Sequence, residues 1–254
     1  MMTPSTELSG RTALVTGSTS GLGAGIATTL AAAGAHVVIT GRNRRRGEEV
    51  VAHIRSAGGL ADFVAADFAD PGRAAADVAS AATEIFGGAP DILVNNVATL
   101  VFPTPTADVT ADEISDAFAV SVTAPFLLTG RLAPAMAQRG HGSIVNIGSI
   151  SGLFGASGSA LYGATKASVH LLTKSWADEY GPSGVRVNAV APGPIATERM
   201  VEFGDAVNPV LARVPSQRMS TVEEVADAVL FLAGPHASNI HGAILSVDGG
   251  FAAA

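Results

Sequence analysis

The stretch Val15–Ala27, VTGSTSGLGAGIA, closes a short apolar run and opens an alanine-rich one. Its glycines, Gly17, Gly21 and Gly23, follow the spacing TGxxxGxG. Glycine permits a tight turn and lets backbone amides approach an anion, and the N-terminus of the helix that follows favours negative charge. Taken alone, three glycines also read as a plain turn. With a strand before and a helix after, they predict the pyrophosphate turn of a dinucleotide-binding βαβ unit. Gly17, Ser18, Thr19, Ser20, Gly21, Leu22 and Gly23 are then the candidate phosphate-side residues.

Working outward, similar apolar runs recur: TALVT (12–16), HVVIT (36–40), ADFVA (61–65), DILVN (91–95), SIVNI (143–147), VRVNAV (185–190) and AILSV (243–247). They are β-branched and nearly continuous rather than alternating, as in strands buried on both faces. The segments between are rich in alanine and leucine, and several end in glycine, as helices do at the C-cap. This order predicts an α/β fold: a Rossmann-like doubly wound parallel sheet of about seven strands with helices on both faces. No linker or repeat interrupts residues 1–254, which read as one domain. The least regular stretch, Pro192–Ser220, holds four prolines and reads as a substrate-loop insertion near 195–220.

Composition narrows the chemistry. The chain of 254 residues has no cysteine, which excludes a disulfide framework, thiolate zinc sites and a cysteine nucleophile. A net charge of −7 and a pI near 5.3 argue against general nucleic-acid binding. The first ten residues lack a basic region followed by an apolar core, so no signal peptide is expected. No apolar run reads as long enough to span a bilayer. A soluble, cytoplasmic protein is expected, with no membrane or nucleic-acid partner. The six histidines show no metal spacing, so no metal is expected. No GxSxG elbow offers a hydrolase nucleophile.

The second strand leads into GRNRRRGEE (41–49). An acidic residue at such a strand end would hold the 2′-hydroxyl of NAD; Gly41 stands there, and Arg42 follows. Arginine suits a 2′-phosphate because its planar fork makes paired hydrogen bonds. Arg44, Arg45 and Arg46 fall near the next helix start, where cations oppose the helix dipole and a bound phosphate would relieve them. NADP is therefore favoured, with NAD as the alternative. The other reading is a solvated basic turn partly neutralised by Glu48 and Glu49.

SIVNIGSISG (143–152) is a buried strand ending in small hydroxyl residues, with Ser149 at its carboxyl end. Ligands of open parallel sheets bind there, although a turn or cap serine is the plainer reading. Thirteen residues on, Tyr162 precedes Lys166 by four, so both stand on one helix face. A free tyrosine has a pKa of about 10, and a fixed positive charge nearby lowers it toward the working range. The three side chains could supply a proton donor, its tuner and a hydrogen bond to a carbonyl oxygen.

These motifs, with AADFAD (65–70), DILVNNVA (91–98), VRVNAVAPGPIAT (185–197) and SVDGG (246–250), resemble the short-chain dehydrogenase/reductase family over essentially the whole chain. The resemblance implies hydride transfer between a nicotinamide cofactor and a small-molecule ketone or secondary alcohol. It implies Tyr162 as general acid/base, Lys166 as its tuner and a ligand of the nicotinamide ribose, and Ser149 as the group orienting the substrate oxygen. It places Asp67 and Phe68 near the adenine, and Asn95, Val97 and Ala98 along the cofactor. Pro192, Gly193, Ile195 and Thr197 fall near the carboxamide. It also implies a homotetramer or homodimer, with helices near 111–138 and 162–180 packed between subunits.

Two positions depart from the family. Asn95-Asn96-Val97-Ala98 replaces Asn-Asn-Ala-Gly, adding a methyl where backbone and cofactor pass closely. Ser121 stands where a fourth catalytic member, an asparagine supporting a proton-relay water, is expected; Ser121→Asn should raise turnover or broaden its pH range. These departures keep an alternative open, a cofactor-binding protein of weak or no catalysis that acts as a sensor or assembly subunit. Substrate choice is expected in loops 98–109, 151–161 and 195–220, where Phe102, Leu153, Phe154, Met200 and Phe203 hint at an apolar pocket.

Overall fold

The computed structural model describes residues 6–99, 103–201 and 211–253. Strands and helices alternate: β1 (Thr12–Val15), α1 (Gly21–Ala32), β2 (His36–Gly41), α2 (Arg44–Ser56), β3 (Leu60–Ala65), α3 (Pro71–Phe86) and β4 (Ile92–Asn95). They continue through α4 (Ala111–Phe118), α5 (Ala124–Arg139), β5 (Gly142–Ile147), α6 (Ala160–Tyr180), β6 (Val185–Pro192), α7 (Glu198–Val201), α8 (Val222–Ala233) and β7 (Ile244–Val247). The seven strands form one parallel sheet in the order β3-β2-β1-β4-β5-β6-β7. The order reverses between β1 and β4, and the carboxyl ends of the strands at such a switch point are where open parallel sheets form their ligand crevice.

The apolar runs divide by parity. Ala13, Val15, Val37, Ile39, Ile92 and Val94 join α1, α2 and α8 in one core. Leu14, Val38, Leu93 and Ile144 join α3, α5 and α6 in the other. Successive strand residues point to opposite faces, so a continuous apolar run is what a sheet covered on both sides requires. β7 is the exception. It lies at the sheet edge, and Leu245 and Ser246 are exposed.

Helix starts differ in a way that bears on the site. Asn43 caps α2, Asp70 caps α3, and Thr110 and Thr221 form capping boxes on α4 and α8. Ser20 before α1 and Ser159 before α6 make no side-chain cap, and both of these helices begin beside the crevice.

Between α4 and α5 the chain passes through a π-helical turn, Ala119–Thr123. By length and composition alone, the run Ala111–Arg139 could cross a bilayer, which corrects the expectation that no run is long enough. It carries Asp112, Glu113 and Asp116 in its first turns, and Leu128, Leu132, Ala133 and Met136 lie in the second core, as in a core helix.

Candidate active site

The glycine turn is built for close approach. Gly17 and Gly21 have φ of +62° and +52°, a region that L side chains rarely adopt. A methyl on Gly23 would collide with the Gly17 carbonyl oxygen and lie 2.5 Å from Asn96 Nδ2. The first turn of α1 holds no acidic residue and no side-chain cap, so its N–H groups are left for an anion. The donor set fits a dinucleotide pyrophosphate.

Two expected phosphate residues do other work. The Ser18 hydroxyl is buried, donates to the Val15 carbonyl at 2.6 Å and accepts from the Thr40 N–H at 3.0 Å; it ties the turn to β2. Thr19 fills the space beside Gly41, where an added Cβ would lie 2.6 Å from Thr19 Cγ2.

A clasp that sequence reading missed joins the turn to β4. Asn96 donates from Nδ2 to the carbonyls of Thr16 (2.9 Å) and Gly17 (3.0 Å). Thr16 Oγ1 accepts from the N–H groups of Asn96 (2.9 Å) and Val97 (3.1 Å). The doubled asparagine after β4 was the available signal. Asn95 itself turns away from the crevice. Its Nδ2 donates to Asn146 Oδ1 (2.8 Å) and Thr129 Oγ1 (3.2 Å), and Asn146 Nδ2 donates to Thr173 Oγ1 (2.9 Å). Phe68 likewise lies in the core, so only its backbone can meet an adenine.

An open cleft beside β2 and β3 is lined by Arg42, Ala65, Ala66, Asp67, Asp70, Arg73, Ala74 and Asp77. Arg42 is exposed there. Arg44 and Arg45 are engaged by Glu48 (3.5 Å) and Glu49 (2.6 Å) one turn on, so the basic turn is partly neutralised, while Arg42 lines the same cleft as Asp67. The Asp67 carboxylate accepts from the Ala69 N–H at 3.1 Å.

At the carboxyl end of β5, Ser149 is buried and caps a short turn, accepting from the Ser151 N–H at 3.2 Å. Tyr162 stands in the first turn of α6 beside it. Lys166 is buried one turn further along, and its Nζ donates to the Ile147 carbonyl at 2.9 Å. Burial pushes the Tyr162 phenol above its usual pKa, while the Ser149 hydroxyl pulls it down. Burial brings Lys166 down to about 8. The structure thus brings Ser149, Tyr162 and Lys166 together, but the phenol's net shift is upward where the sequence predicted a fall. Desolvation outweighs the Ser149 hydrogen bond.

Ser121 lies within the π turn, buried, and its Oγ accepts from the Thr99 N–H at 3.0 Å. Ala98 is exposed on the intervening loop. Behind Gly193 lies Asp248, 2.9 Å from where a Cβ would stand. Ile195 pairs with Ser220 across the base of the candidate lid, and Thr197 Cγ2 lies 3.8 Å from a Cβ built on Gly21. Phe154 stacks on Phe251 at 5.4 Å between centroids, so it is wall rather than open pocket. Leu153 is exposed, and Phe102 and Phe203 fall outside the described residues. Trp176 packs against Phe126, as a core aromatic does. Among the described residues no group of three or more His, Asp or Glu is placed to hold a metal ion.

Comparison with known proteins places this geometry. The family model described as enoyl-(acyl carrier protein) reductase matches residues 17–252. The chain is 37% identical over 246 residues to a 2,5-dichloro-2,5-cyclohexadiene-1,4-diol dehydrogenase of Sphingobium indicum, covering 96% of this chain and 97% of that one. It is 39% identical over 244 residues to a cis-4-hydroxycyclohexanecarboxylate dehydrogenase of Sinomonas cyclohexanicum, with the same coverages. Among solved structures, a short chain dehydrogenase/reductase family protein superposes with a TM-score of 0.88 at 45% identity, covering 98% of this chain and 100% of that one. An Agrobacterium tumefaciens structure described as a 2-deoxy-d-gluconate 3-dehydrogenase with bound NADP gives a TM-score of 0.88 at 37% identity, covering 97% and 98%. The chain belongs to the short-chain dehydrogenase/reductase family of oxidoreductases.

Proposed function

We propose that the protein is an NADP-dependent oxidoreductase that interconverts a cyclic secondary alcohol and its ketone. The observation that carries this reading is the convergence of Ser149, Tyr162 and Lys166 at the end of β5, across the crevice from the uncapped start of α1. The bound dinucleotide supplies or accepts the hydride. Tyr162 gives its phenolic proton to the carbonyl oxygen in reduction and takes it back in oxidation. The Ser149 hydroxyl donates to the same oxygen and fixes its direction. An ammonium has three donors; Lys166 spends one on Ile147, which leaves two for the ribose hydroxyls and for returning a proton to Tyr162.

Arg42 and the lack of an acid at Gly41 support NADP over NAD. The ring alcohols in the names of the dehydrogenase relatives support the substrate class. Residues 1–254 act as one domain in this reading, with 195–220 as the substrate lid. Phe126 and Leu171, 50% and 65% exposed on α5 and α6, favour burial between subunits of a homodimer or homotetramer.

The test is a panel of cyclic alcohols and ketones, followed by nicotinamide absorbance with NADP(H) and NAD(H). Turnover of ring alcohols with NADP preferred is expected. Cofactor binding without turnover of any alcohol or ketone would instead favour a non-catalytic binding protein.

A further inference from the structure

His170 has no part in the proposed chemistry, yet it is buried on α6 one turn beyond Lys166 and two beyond Tyr162. That spacing puts the three side chains along one helix face. The ring lies against the segment that carries Ser149. A methyl on Gly148 would collide with His170 Nε2, and one on Gly152 would lie 2.9 Å from its Cε1. The imidazole therefore occupies space that Gly148 leaves open on one side of Ser149, and on the other it packs with the α6 backbone at Lys166 and Ala167 against Gly152. The same segment is held from β6 by the Gly148 N–H, which donates to the Val190 carbonyl at 2.7 Å.

Neither ring nitrogen has a partner of good hydrogen-bond geometry, and only the Gly152 backbone offers a weak one. Burial keeps the ring neutral, and the ammonium groups of Lys166 and Lys174 on the same helix add to that effect. The 148–152 segment, Gly-Ser-Ile-Ser-Gly, carries no charged side chain. A buried polar ring without partners costs stability that an aliphatic side chain of similar size does not.

We propose that His170 is a positioning residue: its flat, buried ring is a wedge beneath residues 148–152 that fixes the Ser149 hydroxyl and the Ile147 carbonyl relative to Tyr162 and Lys166. This rests on the reading of Ser149, Tyr162 and Lys166 as the reacting set. The wedge acts through distance. Ser149 must reach both the substrate oxygen and the phenol, and misplacement by about 1 Å costs roughly a hundredfold in rate.

The test compares His170→Leu and His170→Gln with the native chain in four readouts: Tm, Kd for NADPH by fluorescence, kcat on a turned-over ring alcohol, and the Tyr162 phenolate midpoint. The last comes from ultraviolet difference titration, with Tyr162→Phe as the blank for Tyr180, the other of the two tyrosines. The leucine variant is expected to keep or raise Tm and to hold Kd within about twofold, while kcat falls about ten- to a hundredfold. Its phenolate midpoint moves up, because Ser149 no longer holds it down. Glutamine, polar and flat at its end, falls between the two. A folded variant with native kcat and an unmoved midpoint overturns the proposal, as does a kcat that merely tracks Tm. Should leucine fail to fold, the glutamine variant decides alone by the same criteria. The phenolate midpoint needs no turnover, so failure of the oxidoreductase reading remains separate from failure of this one.

Discussion

The Lys166 Nζ stands 5.8 Å from the centroid of the Tyr162 ring and hydrogen-bonds to the Ile147 carbonyl at 2.9 Å. The lysine is thus anchored to the sheet and presents its charge along the face of the phenol. Because burial lowers its pKa from 10.5 to about 8, Lys166 gives stability a specific pH dependence. Below pH 8 both folded and unfolded chains hold its proton. Between about 8 and 10.5 only the unfolded chain does, so this group's contribution to stability rises with pH in that window. The Tm difference between native protein and Lys166→Met should move in favour of the native chain from pH 8 to 10.5. A constant difference across that range contradicts the buried, perturbed ammonium.

Gly23 is where the glycine turn has least room. Gly23→Ala forces the Cβ against the Gly17 carbonyl and Asn96, and overpacking of this kind costs roughly 1–3 kcal/mol. The shifted amides should also weaken NADPH binding by about tenfold, the equivalent of about 1.4 kcal/mol. Thermal melts and a fluorescence titration check both. Native affinity in the variant contradicts a phosphate cradle at this turn.

Cofactor choice turns on two neighbours at the end of β2. Arg42→Ala should raise KM for NADP about ten- to a hundredfold, as loss of a hydrogen bond to a charged group costs about 1.5–3 kcal/mol, and should leave KM for NAD nearly unchanged. Gly41→Asp should be a poor switch to NAD on its own, because Thr19 already fills the space where the new Cβ would stand; Gly41→Asp with Thr19→Ser should do better. Equal effects of Arg42→Ala on both cofactors contradict a 2′-phosphate contact.

Ser121 holds the loop after β4 by accepting from the Thr99 N–H. Ser121→Ala should cost about 1 kcal/mol through that orphaned donor. Ser121→Asn keeps an acceptor and should raise turnover or broaden its pH range. If Ser121→Asn is unchanged or worse, proton relay does not run through this position.

The sheet was legible because Leu14 and Val15 are both apolar yet face opposite cores, a pattern only a doubly covered strand imposes on sequence. The glycine turn and the Tyr162–Lys166 spacing were legible because local geometry dictates them. What sequence did not reveal depends on contacts between distant segments. Ser18 and Asn95 read as cofactor residues, but the Ser18 hydroxyl is spent on Val15 and Thr40 and the Asn95 amide nitrogen on Thr129 and Asn146. The Asn96–Thr16 clasp joins residues 80 apart. The π turn at Ser121 is announced by no local residue preference. The upward shift of the Tyr162 phenol reflects how deeply the site is buried, and spacing along a helix carries no information about depth.

The central claim is tested most directly by Tyr162→Phe, assayed for kcat on a ring alcohol with NADP and for NADPH binding in the same preparation. The account predicts a fall in kcat of roughly a hundred- to ten-thousandfold, the range for loss of a general acid/base, with Kd for NADPH within about twofold. A variant that keeps most of its turnover contradicts Tyr162 as the proton donor and acceptor.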